Sequence, residues 1–263
     1  MKAKVMFARF PFKRSEDPAV AKWLVPTVLK CKNDGRVGEV LHLEVDDTPI
    51  TMSRNRACRA AQKLGVDILC MIDSDMQPDL PGQRPFWDTS FEFMLRHEGP
   101  CCVAAPYCGP PPHENVYVFR WATYQGDHPN TDLHLEQYPR EDACQRAGFE
   151  EVGALPTGLM LIDMRALDVI SPPWFEYEYK DPPFNTEKST TEDVFFTRNL
   201  SLAGVPQYVN WDAWAGHVKM KVVGKPSILT CDAIREQFRE AVSRNAREGE
   251  KIMDINCGVP RKP

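Results

Sequence analysis

The chain has 263 residues, 43% of them apolar and 26% charged, a globular balance that excludes a disordered, collagen-like or coiled-coil protein and suits one α/β domain. The formal net charge is −5, from 32 Lys and Arg against 37 Asp and Glu, so no overall positive charge advertises nucleic acid or an anionic membrane. No stretch approaches the roughly 20 apolar residues that span a bilayer. Met1 to Arg14 lacks the apolar core and cleavage site of a signal peptide, and an odd total of nine cysteines reads as reduced thiols, so a cytoplasmic location is expected.

Lys4 to Phe10 is a β-compatible apolar run ended by Pro11. Behind Glu16-Asp17-Pro18, residues Val20, Trp23, Leu24, Val28 and Cys31 recur at helical spacing. Glu39 to Val45 predicts a second strand ending in Asp46-Asp47-Thr48. Ser53 to Leu64 predicts a second helix with Ala57, Ala61 and Leu64 on one face, closed by Gly65. Asp67 to Ile72 is almost continuously apolar, as suits a strand covered on both faces, and the βαβαβ order predicts a doubly wound, largely parallel sheet.

Beyond residue 80 the spacing predicts a helix near Ser90 to Arg96 and strands at Cys102 to Pro106 and Val116 to Trp121. A long surface loop is expected over Gln125 to Arg146. Val152 to Ile162 reads as a strand broken by Pro156 and Gly158, and Met164 to Val169 as a short helix. A helix over Thr191 to Leu202, a strand over Gln207 to Trp211 and a last helix from Asp232 to Arg247 follow. No repeat or linker interrupts the chain, so a single domain over 1–263 is expected.

Asp73-Ser74-Asp75 follows directly on the apolar strand. Ligands of open α/β sheets bind beyond the carboxyl ends of the strands, and two carboxylates one residue apart there can hold a hard divalent cation that binds phosphate oxygens. A zinc knuckle at Cys101, Cys102, Cys108 and His113 is not expected from their spacing. Trp174, Trp211 and Trp214 are either core or a stacking platform.

Ser53-Arg54-Asn55-Arg56-Ala57 through Asp75 resembles the Arg-Asn helix, apolar strand and DxD motif of GT-A nucleotide-sugar glycosyltransferases. Val45-Asp46-Asp47-Thr48 is similar to their base-binding strand end, Pro156 to Ile162 to the glycine-containing strand beside the acceptor, and Thr191-Glu192-Asp193 to their TED motif. The resemblance runs from Lys4 to His217 and implies a three-layer α/β/α GT-A fold, with a nucleotide-binding half (1–80), an acceptor half (81–220) and a C-terminal helix and tail (221–263). It implies a metal-dependent, inverting transfer from a UDP-sugar, or less favourably a GDP-sugar, to an acceptor hydroxyl on a glycan, a small molecule or a modified nucleic-acid base.

On that resemblance Asp73, Asp75 and His217 are the expected ligands of Mn²⁺ or Mg²⁺. Asp193 is the expected general base, with Glu192 orienting it or the acceptor. Ala8, Arg9, Phe10, Asp46, Asp47, Arg54, Asn55 and Ser74 are expected around the donor, and Gly158, Trp211 and Trp214 around the acceptor. A retaining enzyme of the same fold, a nucleotidyltransferase and an inactive carbohydrate-binding module are the alternatives. The nucleotidyltransferase is disfavoured because Ala8 to Arg14 contains no glycine.

Overall fold

A computed structural model describes residues 2–11, 15–46, 49–110, 114–123, 133–180, 184 and 186–219. The expected helix over Asp232 to Arg247 and the tail lie outside these residues. The first half runs β1 (Ala3–Phe10), α1 (Pro18–Asn33), β2 (Val37–Glu44), α2 (Ile50–Lys63), β3 (Ile68–Asp73), the short β4 (Met76–Gln77), α3 (Phe86–Arg96) and β5 (Cys102–Ala104). There follow β6 (Phe119–Thr123), β7 (Leu133–Gln137), α4 (Arg140–Ala143), β8 (Phe149–Val152) and β9 (Leu159–Asp163). A 3₁₀ turn at Met164–Asp168, β10 (Glu178–Tyr179), β11 (Lys188–Thr190), α5 (Glu192–Leu202), β12 (Gln207–Asn210) and β13 (Gly216–His217) complete the order. All belong to one unit of the chain, Met1–Gly109 with Glu114–Val218.

Seven strands form the central sheet in the order β2-β1-β3-β9-β5-β12-β8. β1 is parallel to β2 and β3, and β12 to β5. Only β9, between β3 and β5, and the edge strand β8 run against the rest. The architecture is thus an α/β layered fold with a mixed, mostly parallel sheet, as expected.

Alternation along β1 shows how the layers form. Val5 and Phe7 face one side, where they meet Val20, Trp23 and Leu24 of α1 and Phe86, Trp87 and Phe91 of α3. Met6, Ala8 and Phe10 face the other, with Ala57, Cys58 and Ala61 of α2 and Phe196 and Leu200 of α5. Successive strand side chains point to opposite faces, so one strand of eight residues serves both cores. Helix α1 starts where Asp17 accepts the amide of Ala19 at 2.9 Å and Pro18 opens the first turn.

Three expectations need correction. Gln125 to Arg146 is not a loop throughout, because β7 pairs antiparallel with β6 and α4 follows. Val152 to Ile162 is not one strand: Gly153 to Gly158 separates β8 from β9, and these sit at different places in the sheet. Leu64, expected on the buried face of α2, is 51% exposed, since α2 ends at Lys63 and Gly65 (φ +62°) turns the chain back toward β3.

Candidate functional site

The carboxyl end of β3 carries Asp73 and, two residues on, Asp75. Chain connectivity then brings in two later segments. Reversed β9 docks on β3, so the Asp73 amide donates to the Gly158 carbonyl at 2.8 Å at the mouth of both strands. β13 pairs antiparallel with β4, with His217 opposite Met76, and the Val218 amide donates to the Asp75 carbonyl at 2.7 Å. As a result His217 Nε2 lies 3.1 Å from Asp75 Oδ2, and Nδ1 lies 3.3 Å from the Cys108 carbonyl. Tyr107 meets the imidazole edge-on at 4.9 Å, and its hydroxyl accepts the Gly158 amide at 3.2 Å.

Asp73 has a different partner. Arg54, 3% exposed on the inner face of α2, donates Nη2 to both Asp73 oxygens at 2.7 and 3.0 Å and Nη1 to Glu192 Oε1 at 2.7 Å. One guanidinium therefore joins the end of β3 to the first turn of α5. Burial disfavours the guanidinium charge, but Asp73, Glu192 and Asp193 outweigh it and hold the group firmly protonated. Burial raises the pKa of Asp73 and of Glu192, with Arg54 pulling the other way in both. Burial also raises the Tyr107 phenol well above its ordinary value, and the Asp73 and Asp193 charges add to the effect. Asp193 occupies the first turn of α5, where its Oδ1 accepts the Val194 amide at 2.9 Å and the Thr191 hydroxyl. An acidic residue is favoured there by the helix dipole.

The structure thus joins Asp73, Arg54 and Glu192 in one charged chain, with Asp193 next to Glu192 in the first turn of α5, and Asp75 and His217 in one pair. Among the described residues no three His, Cys, Asp or Glu side chains converge tightly enough to hold a metal ion by themselves. Other expected site residues sit elsewhere. Arg54 does not present its guanidinium to solvent. Asn55 clamps Trp174-Phe175, its side chain donating to the Phe175 carbonyl at 2.8 Å and accepting both backbone amides at 2.9 and 3.1 Å. Ala8 and Phe10 are 0% and 1% exposed and point into the core, because both fall on the face of β1 that packs against α2 and α5. Arg9 points away from that core and pairs with Glu16 and Glu44, each at 2.7 Å. Asp46 is exposed, and its carbonyl accepts the Ser53 hydroxyl at 2.6 Å; Asp47 lies outside the described residues. The Ser74 carbonyl accepts the Asp17 amide at 2.7 Å.

Gly158 is required by close approach: a Cβ there would lie 2.8 Å from the Tyr107 hydroxyl and 2.9 Å from Met76 Sδ. Of the two alternatives expected for Trp211, core or stacking platform, the structure shows core. Trp211 is 1% exposed and donates its indole N–H to Glu150 at 2.7 Å, with Trp214 packed beside it at 5.7 Å. Tyr107 was missing from the sequence reading. Its only signal is a place just past β5 and Pro106, at a strand's carboxyl end.

No protein-family model matches the chain, and no curated protein resembles it in sequence. Solved structures do resemble it in fold. A197 from STIV superposes with a TM-score of 0.51 at 18% identity, over 82% of this chain and 86% of that one. GalNAc-T7, solved with UDP, GalNAc and Mn²⁺, gives a TM-score of 0.44 at 10% identity, over 86% of this chain and 46% of that one.

Proposed function

We propose that the protein is a GT-A-like glycosyltransferase, one catalytic domain that moves a sugar from a nucleotide-sugar, UDP-linked rather than GDP-linked, to an acceptor hydroxyl. The observation that carries this reading is the pairing of two acidic motifs through one buried arginine. Asp73 of the Asp73-Ser74-Asp75 triplet and Glu192 of the Thr191-Glu192-Asp193 triplet both bind Arg54, and these are two of the motifs by which the sequence resembles that family. Their position beyond the carboxyl end of a mostly parallel sheet is where α/β folds bind ligands.

Asp75 and His217 form a carboxylate–imidazole donor pair that suits Mn²⁺ better than Mg²⁺, with Asp73 held back on Arg54. Asp75 and His217 would be the residues that hold such an ion. When bound, such an ion offsets the charge that gathers on the leaving diphosphate.

The residues of the chain supply the rest. Asp193 removes the acceptor's proton as that oxygen attacks the anomeric carbon. The new carbon–oxygen bond forms as the bond to the diphosphate breaks on the opposite face, which inverts the anomeric centre. Arg54 and the first turn of α5 fix where the Glu192 and Asp193 carboxylates stand. The Tyr107 hydroxyl and the Asp73 amide both hold the Gly158 backbone at the carboxyl end of β3.

Thermal shift with UDP and GDP, with and without Mn²⁺, tests the donor, because a ligand that binds only the folded state raises the melting temperature by mass action. The expected outcome is a shift with UDP that needs Mn²⁺ and is lost in Asp75→Asn. Donor hydrolysis should fall by about a hundredfold or more in Asp193→Asn, the scale of general-base catalysis. If UDP and GDP both fail to bind, or Asp75→Asn changes nothing, the reading is wrong. Retention of the donor's anomeric configuration, followed by NMR, would exclude the inverting step.

A further inference from the structure

A wide groove among the described residues lies apart from these carboxylates. Helix α2 and the segment from Leu167 to Trp174 enclose about 920 Å³, and none of Asp73, Asp75, Glu192, Asp193 or His217 lines it. Two properties of its walls do not balance within the protein. The first is unpaired donors. Arg56 and Arg59 are exposed and stand three residues apart on α2, hence side by side. Neither has an ion-pair or hydrogen-bond partner among the described residues, although other arginines there, such as Arg9, Arg36, Arg54 and Arg198, do. Asp168 is the one carboxylate in the lining and takes neither of them. Trp174, 5% exposed, adds a buried indole N–H that has no acceptor among the described residues.

The second property is apolar exposure. Met52 and Val169, 46% and 47% exposed, lie on the same groove as Ile170 and Pro172. Isolated exposed apolar side chains are ordinary, but two large ones sharing a concave wall with unpaired cations are not. A bare inorganic anion would answer the arginines and leave the apolar wall wet. An apolar body alone would leave two guanidinium groups desolvated without acceptors.

We infer that this groove binds a phosphate monoester of an apolar alcohol, its phosphate on Arg56 and Arg59 and its hydrocarbon along Met52, Val169 and Pro172. Phosphate is favoured over carboxylate because two planar guanidinium groups can each be met bidentately by its three oxygens. The inference is independent of the donor site: it stands or falls whether or not a nucleotide binds beside Asp75.

Isothermal titration of the whole protein with butyl, hexyl and octyl phosphate below their micellar concentrations, and with inorganic phosphate and octanol, tests it. Affinity is expected to rise roughly threefold to fourfold per added methylene, the transfer value for a CH₂ group. Inorganic phosphate and octanol should each bind far more weakly than octyl phosphate. Arg56→Gln/Arg59→Gln should weaken octyl phosphate by about tenfold or more, as the loss of charge-assisted hydrogen bonds implies. Arg84→Gln/Arg96→Gln, on another surface, should leave it unchanged, and Mn²⁺-dependent UDP binding should survive both. The proposal is overturned if affinity is flat with chain length in the unmodified protein, if inorganic phosphate binds as well as octyl phosphate, or if both double variants behave alike.

Discussion

Arg54 stands between two carboxylates with almost no access to water, its side chain 4% exposed against 22% for Asp73 and 12% for Glu192. Removing one partner from such a group leaves uncompensated charge in a low-dielectric place, which costs about 3–5 kcal/mol. Arg54→Met should therefore lower the urea midpoint strongly, and Arg54→Met/Glu192→Gln should recover part of the loss because one orphaned carboxylate has gone. A double variant no more stable than the single one would show that the guanidinium is not shared. Glu150 offers a pH-dependent counterpart. Burial opposes its charge, but Arg146, the Trp211 indole at 2.7 Å and the Tyr138 hydroxyl at 3.0 Å outweigh it and lower its pKa. A carboxylate whose folded pKa is depressed contributes stability above its unfolded pKa and loses it as pH falls through the folded value. Glu150→Gln should thus melt lower than the unmodified protein at pH 7, with the gap closing below about pH 4. A gap that persists unchanged at pH 3 would rule out this origin.

At the level of elements, α1, α2, β1, β3 and α5 were readable because each carries a local cause: helical spacing behind Asp17-Pro18, a glycine stop at Gly65, continuous apolar runs, and acidic residues in a first turn. The direction of β9 was not readable. Leu-Met-Leu-Ile-Asp is buried throughout, and a strand covered on both faces has the same sequence whichever way it runs. The β6–β7 hairpin was missed although Leu133-His134-Leu135-Glu136 does alternate, because four residues of alternation do not stand out from a polar stretch. The acidic triplets were visible in the sequence and Arg54 was expected beside the donor, but its joining of the two triplets was not foreseen. Helical spacing puts Arg54, three and seven residues before Ala57 and Ala61, on their inner face and Arg56 off it, but only the docking of α2 on the sheet supplies the carboxylates that Arg54 meets. The approach of β9 to β4 at Gly158 gives an element-level test. Gly158→Ala would press a methyl group onto Tyr107 and Met76, and overpacking of this kind typically costs about 1–3 kcal/mol. Chemical denaturation should register that loss, while Gly35→Ala, with nothing within 4 Å of the added carbon, should register little.

For the whole molecule the sheet order puts β9 at the centre with β3 and β5 beside it, each bonded on both sides. Backbone amides open with free energies that rise toward the global value in such strands. Hydrogen exchange should therefore be slowest in Ile68–Asp73 and Leu159–Asp163 and faster in the edge strand β2, whose side chains are mostly half-exposed or exposed. Equal protection of β2 and β9 would contradict the sheet order.

Reversed β9 also sets the order in which the protein can be made. The ribosome completes β1, β2 and β3 early, yet the far edge of β3 has no partner until Leu159–Asp163 emerges. At about 5–20 residues per second the nascent chain carries that bare apolar edge for several seconds. An unpaired apolar edge is a template for wrong pairing between chains. Synthesis, more than the finished fold, is thus where this protein is exposed to aggregation, and a chain halted before Leu159 is the form that a chaperone would have to hold.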